Sequence, residues 1–272
     1  MALKKVILIT GVSTGFGKHT ASLLAKQGHI VYGSVRNNVD NSDPSIKTVY
    51  LDLLDKSSIN STVETVLKNE GRIDVLINNA GMHTGGPIET LPEEFIRKQF
   101  ETNFFGLVEL TRNVLPIMRN QGSGTIINIG SIGGLMGLPF QGYYSATKFA
   151  VEGFSEALRM EVKQFGIKVV VVSPGDFNTN NTVNRRNYLA SKSENDAYKT
   201  QFEKTLTVIE QDENNGWNPE ILAREMVKIV NCKNPRQRYV VASFAQKLAV
   251  FIKKILPGKL FSKILEDHYK IR

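Results

Sequence analysis

The chain has 272 residues, 41% of them apolar and 22% charged, with 34 Lys and Arg against 26 Asp and Glu. That balance excludes a disordered chain, and 22 glycines are too few for a collagen-like or low-complexity one. The formal charge of +8 raises nucleic acid or an acidic membrane as partners against a merely solvated basic surface, so the location of the charge matters more than its total.

A single cysteine, Cys232, excludes an intrachain disulfide, Cys-based zinc sites and Cys-x-x-Cys redox chemistry. No metal site is expected, and a reducing, cytoplasmic setting fits best. Following the apolar stretch Met226–Val230, Cys232 reads as a packing residue. No segment approaches the roughly 18 uninterrupted apolar residues of a membrane span. Lys4 and Lys5 before Val6–Ile9 imitate a signal peptide, but the apolar run is short and ends in Thr10-Gly11 without a cleavage site.

Val6–Thr10 predicts a strand, and Thr20–Gln27 continues a helix opened by a glycine-rich turn. Strands follow at Ile30–Val35 and Thr48–Leu51, then a helix over Ser57–Lys68 with apolar residues at helical spacing. Val75–Asn78, Thr125–Ile129 and Lys168–Ser173 are further strands, separated by helical stretches over Glu93–Met118 and Tyr144–Gln164. Apolar runs without polar alternation suit strands buried on both faces, so the alternation predicts a doubly wound, mostly parallel α/β fold. Asn178–Gly216 is rich in asparagine and poor in apolar residues at its start. It is expected to lie outside the core and to act as a lid over a site.

The first strand ends in Thr10-Gly11-Val12-Ser13-Thr14-Gly15-Phe16-Gly17. Glycines let a backbone turn tightly and approach a pyrophosphate, and the following helix N-terminus offers free N–H groups. The second strand ends in Ser34-Val35-Arg36, without the acid that binds a ribose 2′-hydroxyl. A guanidinium there suits a 2′-phosphate and favours NADP(H) over NAD(H). Asn79, Ala80 and Gly81, after the fourth strand, allow close approach beside a cofactor. Tyr144 and Lys148 stand four apart and share a helix face, whereas Tyr143 finds Thr147 at that spacing. A neighbouring ammonium favours a phenolate, which makes such a tyrosine useful as an acid and base.

Thr10–Gly17, Asn78–Gly81, Asn103, Ser131, Tyr144-x-x-x-Lys148 and Pro174-Gly175 occur in the order and spacing of the short-chain dehydrogenases/reductases, which this chain resembles from about Lys4 to Thr179 by motif and to about Val241 by fold. The resemblance implies a single-domain Rossmann fold with a seven-stranded sheet, helices on both faces, and a homodimer or homotetramer. It implies that Tyr144 is the catalytic acid/base, Lys148 its activator and ribose ligand, Ser131 the hydroxyl on the substrate oxygen, and Asn103 the holder of a relay water. It places Asp52 and Leu53 at the adenine, and Pro174, Gly175 and Thr179 at the nicotinamide carboxamide. Gly130 stands where many members carry a second serine. The expected reaction is NADP(H)-dependent interconversion of a ketone or aldehyde and an alcohol. The alternative is a non-catalytic nucleotide sensor or scaffold on the same fold.

Residues 236–272 hold nine basic residues against Glu266 and Asp267, a balance of +7, which leaves +1 for residues 1–235. The basicity therefore belongs to the tail, residues 242–272 forming an amphipathic helical extension of the 1–241 domain, and no nucleic-acid module accompanies it. Phe244, Leu248, Phe251, Ile252, Ile255 and Leu256 recur at helical spacing, and Leu260, Phe261, Ile264 and Leu265 repeat the pattern. Such helices pack on the domain or a partner subunit, or contact a membrane peripherally. Pro257–Phe261 and His268-Tyr269-Lys270 resemble the tails of the hydroxysteroid and retinol dehydrogenase branch, which implies a lipophilic substrate: a steroid, retinoid, 3-oxoacyl or sphingoid compound.

Overall fold

A computed structural model describes residues 3–36, 43–179 and 197–271. Its strands are β1 (Val6–Ile9), β2 (Ile30–Val35), β3 (Ile46–Tyr50), β4 (Val75–Asn78), β5 (Gly124–Ile129), β6 (Ile167–Pro174) and β7 (Arg238–Val241). They form one sheet in the order β3-β2-β1-β4-β5-β6-β7. Every pairing is parallel, so the sheet is wholly rather than mostly parallel. Alternate residues of one strand enter opposite layers: Ile7 and Ile9 join one core cluster, Val6 and Leu8 the other.

The helices crossing between strands supply the rest of both clusters. Helix α1 (Gly15–Lys26) and a helix before β7, α7 (Pro219–Asn231), cover one face, contributing Leu24, Leu222 and Met226. On the other face lie α2 (Lys56–Glu70), α4 (Gly106–Gln121) and α5 (Gly142–Val162), with Ile59, Leu110 and Leu158. The side chain of Asp55 caps α2 through the Ser57 N–H at 2.8 Å, and Gly71, at φ +68°, ends it.

Three expectations need correction. The helical stretch beginning at Glu93 is not continuous: α3 (Glu93–Phe100) passes through a π-helical turn, Glu101–Phe105, before α4. Residues 199–214 are not peripheral loop. They form α6 (Lys199–Asn214), which buries Phe202, Leu206, Val208 and Ile209; residues 180–196 of the predicted lid lie outside the described residues. The early asparagines of that stretch masked this later apolar spacing. Finally, Cys232 is exposed, because α7 ends at Asn231 and its packed face stops at Val230.

The tail forms α8 (Phe244–Ile255) and α9 (Gly258–His268). Val250 and Phe261 anchor them on Ile132, Met136 and Ala242. Ser243 and Gln246 form a reciprocal capping box at the start of α8.

One ion pair ties β7 to α5. Arg238 donates to Glu152 from Nε at 2.9 Å and from Nη2 at 2.7 Å, and the Ser173 hydroxyl donates to the same carboxylate at 2.8 Å. The Glu152 side chain is only 7% exposed. Replacing Arg238 with Met leaves that carboxylate buried without its counter-ion, so urea unfolding should show a loss of about 2 kcal/mol.

Candidate active site

Strand order reverses between β1 and β4, which opens a crevice at the carboxyl ends of the strands. Two adjoining clefts of about 1120 and 960 Å³ occupy that edge and share Phe16, Asn79, Gly81, Met82 and Thr179. Lying side by side at that edge, they offer adjoining places for a dinucleotide and a substrate.

The larger cleft fits a nucleotide. Gly11 and Gly15 adopt φ of +72° and +57°, open to glycine at little cost. A Cβ on Gly17 would lie 2.1 Å from the Gly11 carbonyl oxygen, so only glycine lets the loop cross the start of α1. Thr14 sits at the N-cap without a side-chain cap bond, leaving the first-turn N–H groups to an incoming anion. Ser13, Thr14, Arg36, Asp52, Leu53 and Ala80 line this cleft, with Arg36 exposed at the end of β2. The cradle is held from below. The Thr10 hydroxyl accepts from the N–H groups of Asn79 and Ala80, each at 2.9 Å. The Asn79 amide donates to the carbonyls of Thr10 at 2.8 Å and Gly11 at 3.1 Å.

The smaller cleft brings Ser131, Tyr144, Lys148, Pro174, Gly175 and Thr179 together. Lys148 is buried; its Nζ donates to the Ile129 carbonyl at 2.8 Å and lies 5.8 Å from the Tyr144 ring centre. Burial pulls its pKa down to about 8, against the opposing attraction of Glu152 one helical turn away. Ser131 begins a 3₁₀ turn, its hydroxyl accepting from the Gly133 N–H at 3.0 Å.

Asn103 lies in the π-helical turn, where a widened helix re-aims a side chain. Its Oδ1 accepts from the Met82 N–H at 2.7 Å, and its Nδ2 donates to the Met82 carbonyl at 2.8 Å and to Thr147 Oγ1 at 3.2 Å. The amide thus clamps the loop after β4 against α5, and Oδ1 keeps a second lone pair. At Gly130 a Cβ would stand 3.0 Å from Val171 Cγ1 and 3.2 Å from Glu152 Oε1, so the glycine leaves room for the Glu152–Ser173 bond. Tyr143 points elsewhere, donating to the Ile88 carbonyl at 3.1 Å.

Sequence reasoning missed several cleft residues. His83 stacks on Tyr144 with ring centres 3.9 Å apart and planes 21° from parallel. Its only signal was its place two residues beyond Gly81. Asp176, Asp212 and Glu213 give the cleft an acidic wall, alongside Ile209 and Tyr269. Asp176 occupied an unspecified position of the Pro-Gly-x-x-x-Thr segment, and the other two lie on α6. Burial, then the charges of Asp212 and Glu213, push the Asp176 carboxyl up to about 6, although the Gln246 amide donates to it. On the outer side, His268 meets Asp212 at 2.9 Å and its pKa rises through that contact.

The family comparison agrees with this geometry: the short chain dehydrogenase family matches residues 5–189. The chain belongs to that family, and it is an oxidoreductase acting between CH–OH and keto groups. It is 47% identical over 268 residues to the 3-ketodihydrosphingosine reductase of Bacteroides thetaiotaomicron, covering 98% of this chain and 99% of that one. A short-chain dehydrogenase structure from Streptomyces avermitilis superposes with a TM-score of 0.80 at 32% identity, covering 97% and 95% of the two chains. A Burkholderia phymatum short chain dehydrogenase/reductase solved in complex with NAD shares the fold at 22% identity, with a TM-score of 0.78 and 92% of each chain covered.

Proposed function

We propose that the protein uses NADPH to reduce a long-chain ketone that carries an amine beside the carbonyl, a 3-ketosphingoid base. The reading is carried by one cleft in which Ser131, Tyr144 and Lys148 share their space with an acidic wall. When bound, the nicotinamide supplies the hydride. Residues 11–17 would hold the pyrophosphate, Asp52 and Leu53 the adenine, and Pro174, Gly175 and Thr179 the carboxamide, with Asn79–Gly81 lying beside the cofactor. Arg36 would pair with a ribose 2′-phosphate by charge-assisted hydrogen bonds, which favours NADPH.

The hydroxyls of Ser131 and Tyr144 donate to the substrate oxygen and stabilise the negative charge that develops there. Tyr144 gives its proton to that oxygen as general acid. Lys148, with a pKa of about 8, exchanges protons near neutrality and restores the Tyr144 proton. The second lone pair of Asn103 Oδ1 holds water on that relay. A non-catalytic sensor on this fold would have no use for this convergence.

Charge selects the substrate class. Asp176, Asp212 and Glu213 repel the phosphates of acyl-thioester carriers and find no partner on a steroid or retinoid. An ammonium beside the ketone is attracted by the negative charge of that wall, and Ile132, Leu138, Ile209 and Tyr269 offer apolar surface to the alkyl chain. The Bacteroides relative's name supports the same choice.

Tyr144→Phe should lower kcat about a thousandfold in an NADPH-absorbance assay while a fluorescence titration shows nucleotide binding unchanged. With Arg36→Asp, the ratio of kcat/KM for NADPH over NADH should fall roughly tenfold or more; an unchanged ratio would remove Arg36 from the cofactor site. Asp176→Asn and Asp212→Asn should each raise KM for the amino ketone about tenfold and leave KM for the same ketone without its amine unaltered. Acid should act in the same direction. Asp176 is anionic above its pKa of about 6, so KM for the amino ketone alone should climb as pH falls through that value.

A further inference from the structure

The outward faces of α8 and α9 are not those of water-facing helices. Phe244 is 82% exposed, Phe251 58% and Ile255 62%, with Leu248, Leu260 and Ile264 also exposed. On α8, positions 244, 248, 251 and 255 follow the i, i+4, i+7, i+11 spacing of one straight stripe. On α9, 260 and 264 stand one turn apart. The inner faces are already used, since Val250 and Phe261 are buried against the domain. The stripe is therefore surplus to the fold.

Exposed lysines flank it. Lys247, over the Trp217 ring, and Lys254 lie along one side of the α8 stripe, and Lys259 and Lys263 stand next to Leu260 and Ile264 on α9; with Lys253, the two helices carry five lysines against Glu266 and Asp267. An apolar stripe edged by lysines matches a surface whose interior is apolar and whose rim is anionic. We propose that this face seats the protein peripherally on an anionic lipid bilayer, with the aromatic and aliphatic side chains at the acyl boundary and the lysines among headgroup phosphates. A second copy of the chain is the poorer occupant. A two-fold contact lays the same patch on itself and brings the lysines of one subunit against those of the other. No helix among the described residues is long and apolar enough to cross a membrane, so the seat is superficial.

The placement also bears on access to the cleft. Tyr269 directly follows α9 and lines the substrate cleft, and its carbonyl accepts from Thr205 of α6 at 3.0 Å. The helix that meets lipid thus continues into the wall that meets substrate.

The test is flotation of the full chain with phosphatidylcholine vesicles, with and without phosphatidylglycerol. The unchanged protein should bind the anionic vesicles and release them in high salt. A Lys254→Glu, Lys259→Glu, Lys263→Glu variant should bind roughly a hundredfold more weakly. A Phe244→Ser, Phe251→Ser, Ile255→Ser variant should lose binding as well. All six positions are exposed, so an unchanged thermal midpoint checks the fold of each variant without relying on turnover. Failure of the unchanged protein to float overturns the proposal, as does equal binding by either variant. Conversion of an oligomer to monomers by the serine variant, with no vesicle binding by its parent, would make the face a subunit contact instead.

Discussion

A parallel strand cannot be joined to its neighbour by a tight turn; the chain must return across the face of the sheet, usually through a helix. With all seven strands parallel, that requirement covers both faces and makes the central strands apolar, while the edge strands β3 and β7 keep polar residues such as Lys47 and Arg238. It also sends every strand-leaving loop to one edge. The glycine loop, Arg36, Asp52, Asn79–Gly81, Ser131 and Pro174–Thr179 come from six different strands, yet they meet because those strands end on the same side. The reversal of order between β1 and β4 opens the gap that they line.

That edge is braced by polar groups inside the fold. Asn78 donates to Asn128 at 2.8 Å, and Asn128 donates to Ser155 at 2.8 Å, linking β4, β5 and α5 across the interior. Nearby, Lys148 gives up water for the Ile129 carbonyl and the field of Glu152, which Arg238 balances in turn. Losses of solvation of this kind are costly, and here they keep the lysine beside Tyr144 with a pKa close to neutrality.

The sheet and many of the residues that it gathers into the two clefts were legible because their signals are local. A strand buried on both faces is a short apolar run, a pyrophosphate loop is glycine at fixed spacing, and Tyr144 and Lys148 lie one helical turn apart. The acidic wall was not legible, because Asp176, Asp212 and Glu213 acquire meaning only when α6 folds over the cleft. His83 was hidden for a similar reason: stacking on Tyr144 joins a loop to a helix distant in sequence. The break at Glu101–Phe105 escaped because a π-helical turn preserves helical patterning while adding a residue. The tail was read as two amphipathic helices from its periodicity, but periodicity could not show which apolar residues the domain would leave uncovered.

The two clefts draw on different parts of the chain. The nucleotide cradle comes mainly from residues 11–53 and 79–82, whereas Asp176, Ile209, Asp212, Glu213 and Tyr269 shape the far wall of its neighbour. Bonds among Thr10, Gly11, Asn79 and Ala80 lock the first without reference to the second. The architecture is therefore modular in an evolutionary sense. Segments after β6 can drift toward new substrates while the glycine loop stays bound to its partner loop, and the reaction can outlast a change in what it acts upon.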